Sequence, residues 1–233
     1  EHPHHAEKLV REFSKKGIER LIVMGGDGTI NEVVNGLIDE NGKNINPNIK
    51  LGILNSGRGC DFIRSLNIPT DPLKAISKFV DMRTKLVDVG QVKVSEDEKL
   101  KTFYFVNSCG FGLGGEVAKN VSRADSFLPP ELMYLTSSLM GVFKSKPFEV
   151  EIIINDEKTL NKEVVNLFIM NGRYSGGGMD WAPQAKVDDG LLDFIILEKV
   201  SKLKIAMMTP KVYTGTFLKQ KEVYHEKVRK LVL

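Results

Sequence analysis

Cysteine is nearly missing from this 233-residue chain, with only Cys60 and Cys109 present. Two thiols cannot build a disulfide framework or a cysteine-based zinc site, so the usage points to a reducing compartment. Long apolar runs are missing too. Stretches such as 21–24 and 191–197 are strand-sized, well short of the roughly 18 residues a membrane helix needs. Nothing at the opening reads as a signal peptide, so the expected location is cytoplasmic, with any membrane contact peripheral. A strong charge of one sign is absent: 33 Lys+Arg face 30 Asp+Glu, a formal net charge of +3. That excludes a chain dominated by affinity for a phosphate backbone, and no nucleic-acid partner is expected. What remains is 42% apolar and 27% charged, enough for one large or two small domains with a sizeable core.

The first third alternates helix and strand. Residues 5–16 place Leu9, Val10 and Phe13 on one helical face, and Gly17 ends the pattern. Residues 19–24 read as a buried strand, 30–38 as a helix with apolar positions 30, 33, 34, 37 and 38, and 50–54 as a second strand. A short helix through Arg64 and another over 71–82 follow. This order is the signature of an α/β unit with a parallel sheet. After about residue 85 the rhythm changes. Residues 85–94, 102–107, 148–155, 164–170 and 191–197 read as strands, with helices over 130–143 and 201–214. The expected domains are therefore 1–85, α/β, and 86–233, mostly β. Residues 227–233 read as a strand with no partner after it, and the α/β unit would lack an opening strand. The expectation is that these residues are part of a longer protein.

Gly25-Gly26-Asp27-Gly28-Thr29 stands between a buried strand and an amphipathic helix. Glycines let a backbone approach a ligand closely, and a helix N-terminus offers free N–H groups and a positive dipole end. Asp27 would repel a phosphate unless a cation lay between them, which makes the motif suited to a Mg-nucleotide. The plainer reading is a strand-to-helix turn with Asp27 or Thr29 as N-cap. It is neither a Walker A loop nor a Rossmann fingerprint. Further along, Lys186-Val187-Asp188-Asp189-Gly190-Leu191 pairs two carboxylates with a turn glycine; it suits a hard cation, a hairpin turn, or both.

GGDGTINEVVNGL over 25–37, LGILNSGRGCDFIRSLNIP over 51–69, LVDVG over 86–90 and MDWAPQAKVDDGLLDFIIL over 179–197 together resemble the diacylglycerol kinase catalytic-domain family, which includes soluble bacterial lipid kinases and the sphingosine and ceramide kinases. GGDGT alone is shared with NAD kinase and phosphofructokinase relatives, whereas the later elements are more specific. The resemblance implies an α/β nucleotide-binding domain with a parallel sheet, followed by a mostly β sandwich domain. It implies ATP against Gly25, Gly26, Asp27, Gly28, Thr29, Ile30 and Asn31, with Gly57 and Arg58 from the second loop, and transfer of the γ-phosphoryl group to a lipid hydroxyl. Asp27, Asp61 and Asp88 match the acidic positions around nucleotide-bound Mg²⁺. A second, structural Mg²⁺ is implied at the carbonyls of Lys186 and Leu191 and the carboxylate of Asp189.

The implied partners are a lipid alcohol, a membrane surface met peripherally, and a second copy in a homodimer. Two departures stand out: Arg58 replaces a threonine and Cys60 an asparagine of the family pattern. The family's base lies in an acidic segment beyond a strand like 227–233, and no residue of this chain matches it. A catalytically silent binding module and an NAD kinase-like enzyme are the alternatives.

Three other features are decoys or remain open. Gly110, Gly112 and Gly115 match GxGxxG alone, a weak dinucleotide signal. His2, His4 and His5 read as a solvent-exposed end. Tyr174, Met179, Trp181 and the Gly176–Gly178 run line either a lipid entrance or a loop beside a core tryptophan.

Overall fold

The computed structural model describes residues 2–57, 59–80, 83–96, 99–112 and 146–233. The chain divides into two compact units, Glu1–Val106 and Asn107–Leu233. The helix expected over 130–143, Gly115 and Arg58 lie outside the described residues. Among the described residues no helix is long and apolar enough to cross a membrane.

In the first unit, α1 (His5–Lys15) leads to β1 (Arg20–Gly25), α2 (Asp27–Leu37), β2 (Lys50–Asn55), α3 (Asp61–Ser65) and α4 (Pro72–Val80). Strands β1 and β2 pair in parallel from Arg20↔Lys50 to Gly25↔Asn55. Ile30, Val33, Val34 and Leu37 form the buried stripe of α2, as the 3.6-residue period requires. Helix α2 begins three residues before the expected Ile30. Gly26 is its extended N-cap, so neither Asp27 nor Thr29 caps it. The glycine at position 28 falls in the first turn, where one carboxylate already complements the dipole. On the outer side of α2, Gly36 meets α1 so closely that a Cβ would overlap Val10 and lie 2.5 Å from the Glu7 carbonyl.

The hairpin β3 (Gly90–Glu96) and β4 (Lys99–Phe105) completes this unit. A strand was expected from residue 85, but 83–89 takes no regular structure. The last ladder pair is Gly90↔Phe105, so β4 offers no partner to the residues before Gly90, and β-prone side chains alone do not make a strand. Asn35 fastens the hairpin to α2. Its Nδ2 donates to the Tyr104 carbonyl at 2.9 Å, and its Oδ1 accepts the Tyr104 N–H at 3.0 Å.

The second unit is built on a 13-residue strand, β7 (Lys158–Met170). Along one edge it pairs first with β6 (Phe148–Ile154) and then with β5 (Ser108–Gly112); along the other it pairs with β10 (Leu192–Glu198). All these pairings are antiparallel, so Gly110 and Gly112 sit in a sheet ladder and not in a strand-to-helix dinucleotide loop. Phe194, Ile195 and Ile196 of β10 are buried in succession, so both faces of the sheet are covered there. A small hairpin, β8 (Tyr174–Ser175) and β9 (Met179–Asp180), follows β7, and α5 (Lys202–Tyr213) follows β10.

The final segment differs from expectation. It is two strands, β11 (Val223–Val228) paired with β10 and β12 (Leu231–Val232) paired with β6. Between them Asn155 Oδ1 accepts the N–H groups of both Arg229 and Lys230, which turns the chain from one partner to the other.

Converting Asn35 to Asp would leave the Tyr104 N–H satisfied but set a carboxylate against the carbonyls of Tyr104 and Asn31, which now accept from Nδ2. Urea denaturation followed by circular dichroism should show a loss of about 2 kcal/mol, the cost of unmaking buried hydrogen bonds.

Candidate functional site

The parallel register of β1 and β2 brings both glycine loops out at the same end of the sheet, the carboxyl end, where ligands of open α/β sheets bind. The two loops meet backbone to backbone. Ser56 N donates to the Gly25 carbonyl at 3.2 Å, while within the second loop Asn55 Oδ1 accepts the Gly57 N–H at 3.0 Å. A Cβ on Gly57 would overlap Gly26 Cα, and one on Gly26 would come within 3.1 Å of Gly57 Cα. Gly25 in turn lies over the Thr29 side chain, 2.5 Å from where a Cβ would stand. Beside Gly28 the space is open. The first N–H groups of α2 have no partner within the helix, so that opening is a place where an anion can be received.

Asp27 reaches from the first loop to the second. Its Oδ1 accepts the Phe62 N–H at 2.9 Å and its Oδ2 the Asp61 N–H at 3.2 Å. Cys60, the residue preceding α3, is left-handed at φ 58° and makes no side-chain cap, so Asp27 caps α3 from another loop. One carboxylate therefore stands at the positive ends of two helices. Asp61 is buried beside it, at 4% exposure. Asp88 lies half-buried in the irregular stretch 83–89. Ile30 belongs to the core stripe and Asn31 accepts Asn35 Nδ2 through its carbonyl, so of the expected loop residues Gly25 to Thr29 and Gly57 are those the structure gathers around the opening. Among the described residues no three His, Cys, Asp or Glu side chains form a ready-made metal cluster.

Cys60 Sγ donates to the Gly57 carbonyl at 3.3 Å, and burial, then the nearby Asp27 charge, pushes its thiol above the usual range. It acts as a packing element of the second loop. Asn55 joins the site through an Asx turn, and its signal in the sequence is the Asn-Ser-Gly order.

In the second unit Asp189 sits in the turn before β10, followed by Gly190 at φ +71°. Asp189 Oδ1 accepts the Leu191 N–H at 3.1 Å, and Oδ2 accepts Lys227 Nζ at 2.6 Å. Burial pushes the carboxyl up, but the bonds from Lys227 and Leu191 and the charges of Lys227 and Lys186 outweigh it and hold Asp189 below the usual carboxylate range. The same contact, opposed by burial, raises Lys227. Asp193, 2% exposed, accepts from His225 Nε2 through Oδ1 at 2.6 Å, with Lys227 Nζ 3.9 Å from its other oxygen. The turn is thus already held by an internal ammonium group, and Lys186 and Leu191 flank it in sequence.

Trp181 packs on Phe168 and Phe217 at ring-centroid distances of 4.2 and 5.1 Å, and its Nε1 donates to the Ser175 carbonyl. Met179 is buried in the same cluster. This favours the core tryptophan over the lipid entrance. Arg173 clasps Asp180 with two bonds of 2.8 and 2.6 Å, which holds the β8–β9 hairpin closed. At the other end of the chain, the His2 and His5 rings stack at 5.0 Å, and His4 Nδ1 lies 3.3 Å from Glu7.

Gly57→Ala should separate the two loops and lower stability by about 2 kcal/mol, as overpacking does; thermal unfolding measures it. Lys227→Met tests the second unit. In the parent protein the Asp189–Lys227 contribution is present from about pH 5 to about pH 10. It is lost below that window as pH falls through the depressed Asp189 value, and above it as pH rises through the raised Lys227 value. The stability difference between parent and variant in urea should therefore be flat near neutrality and shrink at both ends.

The description "Diacylglycerol kinase catalytic domain" matches residues 1–92, and "YegS C-terminal NAD kinase beta sandwich-like domain" matches residues 107–233. A Chromohalobacter salexigens protein named "Probable lipid kinase YegS-like" is 34% identical over 200 residues, covering 84% of this chain and 60% of its own length. A Staphylococcus haemolyticus "Diacylglycerol kinase" is 30% identical over 221 residues, covering 93% and 62%. The chain thus spans less than two thirds of these two relatives. A crystal structure of a diacylglycerol kinase from Bacillus anthracis superposes with a TM-score of 0.65 at 23% identity, over 99% of this chain and 70% of that one, a likeness of fold. With an α/β unit matched at one end and a mostly antiparallel β unit matched at the other, the chain belongs to the diacylglycerol kinase catalytic-domain family.

Proposed function

We propose that this protein is an ATP- and Mg²⁺-dependent lipid kinase that transfers the γ-phosphoryl group to the hydroxyl of a lipid alcohol of the diacylglycerol type. The observation that carries this reading is the joined pair of glycine loops, with Asp27 fixed between the N-termini of α2 and α3. The names of the relatives support the lipid acceptor.

Mg²⁺ commonly binds through one or two carboxylates plus substrate phosphates and waters, so a three-carboxylate cage is not required. Each Asp27 oxygen accepts one N–H and retains acceptor capacity, and Asp61 follows at the start of α3. These residues fit a nucleotide-bound cation, with Asp88 as the third member of the acidic set. Bound MgATP would supply the phosphoryl group and neutralise its charge. Gly25, Gly26, Gly28 and Thr29 would admit the phosphates to the helix N-terminus, with Ile30, Asn31, Gly57 and Arg58 completing the nucleotide contacts. Asp27 would hold the cation, and its two backbone bonds would keep it oriented throughout. Phosphoryl transfer needs positioning and charge stabilisation more than covalent chemistry from the protein. At the turn of Lys186, Asp189 and Leu191, a structural Mg²⁺ would share the Asp189 carboxylate with Lys227.

The test is transfer of labelled phosphate from ATP to lipid alcohols in mixed micelles with Mg²⁺. One lipid should be labelled, chelation should stop the reaction, and Asp27→Asn should lower turnover by about 100-fold or more, the size of effect seen when one preorganised charge-stabilising group is removed. Labelling of NAD and of no lipid would overturn the reading in favour of an NAD kinase-like enzyme. Bound ATP with no transfer to any acceptor would leave a silent binding module.

A further inference from the structure

Helix α5 is apolar on two opposite faces. Ile205, Met208 and Val212 point into the core with Val165, Met170, Ile195 and Leu197. On the far side Leu203, Met207 and Pro210, spaced four and three residues apart, form an exposed stripe. Leu203 is 71% exposed and Met207 56%. Burying the inner face accounts for the fold of the helix and leaves the outer stripe without a structural reason. Single exposed apolar residues are ordinary, but an ordered apolar stripe rimmed by charge of one sign marks an interaction surface.

The rim has that character. From residue 199 to residue 221 the chain carries six lysines, Lys199, Lys202, Lys204, Lys211, Lys219 and Lys221, and no Asp or Glu. On the helical wheel Lys204 and Lys211 flank the stripe on one side and Lys202 lies on the other. Lys211 Nζ donates to Gln220 Oε1 at 2.6 Å, which draws the segment carrying the exposed Lys219 and Lys221 back to the end of the helix. Lys199 meets Glu163 and Lys204 meets Glu222, acids from outside this segment.

We propose that the outer face of α5, with the lysines around it, docks on the surface of an anionic phospholipid bilayer. Leu203 and Met207 enter the boundary between headgroups and acyl chains, while the lysines lie along it with their ammonium groups among the headgroups. The pairing of an apolar stripe with a lysine-rich rim selects a negatively charged lipid surface over a neutral one. The lipid kinase reading adds only that a lipid acceptor is met at such a surface; the docking face stands on its own residues.

Vesicle sedimentation without nucleotide tests it, using phosphatidylcholine alone or mixed equally with phosphatidylglycerol. The protein should bind the mixed vesicles and not the neutral ones, with binding that weakens as salt rises. Leu203→Ser with Met207→Ser should lower the partition coefficient by about tenfold or more, and Lys219→Gln with Lys221→Gln by about fivefold per lysine. Both pairs lie on the surface, and unchanged thermal unfolding checks that they fold. Binding to neither vesicle, equal binding to both, or undiminished binding by the variants would overturn the proposal. So would sedimentation velocity showing that the serine pair splits a dimer while vesicle binding is unchanged, which would make the stripe a self-interface. Because no ATP is present, a protein that fails to transfer phosphate can still pass this test, and one that transfers can still fail it.

Discussion

Capping of one helix by a side chain of another is the interaction on which the first unit depends. Asp27 supplies the cap that α3 lacks. Five residues on, Glu32 accepts the N–H groups of His4 and Ala6 and so does the same for α1, whose own N-cap makes no side-chain bond. Arg11 returns the service by donating to the carbonyls of Asn35 and Ile38 at the far end of α2. A helix of five residues such as α3 has little stability of its own, because nucleation is costly and few bonds repay it. Its place is set by a carboxylate fixed in another helix. Helix α2 is therefore the organiser: Asp27, Glu32 and Asn35 reach α3, α1 and β4 respectively.

The same arrangement explains why the glycine motif is costly to alter. A carboxylate at the junction of two glycine loops is held by two backbone donors, and open space lies beside Gly28 in the same helix turn. Fold and site share one set of atoms, so positioning for chemistry needs no separate scaffold. In the second unit the corresponding role falls to charge: Lys227 neutralises Asp189 at the turn into β10, and His225 meets the buried Asp193 one pleat away. A strand that carries His225 and Lys227 on one face thus fastens the turn acid Asp189 and the β10 acid Asp193.

Much was legible locally. The buried stripe of α2, the parallel β1–β2 pair, the strands β6, β7 and β10 and the helix near 201–214 follow from periodicity and apolar runs. The readings that failed did so where a neighbour decided. Residues 85–89 have strand-forming side chains, but the ladder with β4 ends at Gly90↔Phe105 and does not reach them. Residues 227–233 look like one strand, but Asn155 breaks them into two with different partners. Helix α2 starts before its apolar stripe, because glycines in a first turn carry little propensity signal.

By itself, then, the sequence determined the order of the elements, the glycine-acid motifs and the family, because these rest on spacing along the chain. Only the tertiary structure decided what Asp27, Asn35 and Lys227 touch, since their partners lie 34 or 35, 69 and 38 residues away. No local pattern encodes a contact of that kind; it exists only once parallel strands set two loops side by side and one strand lays its lysine against another's turn. Likewise, the lysine run of 199–221 is plain in the sequence, but that Leu203 and Met207 face outward was decided by which side of α5 the core claims.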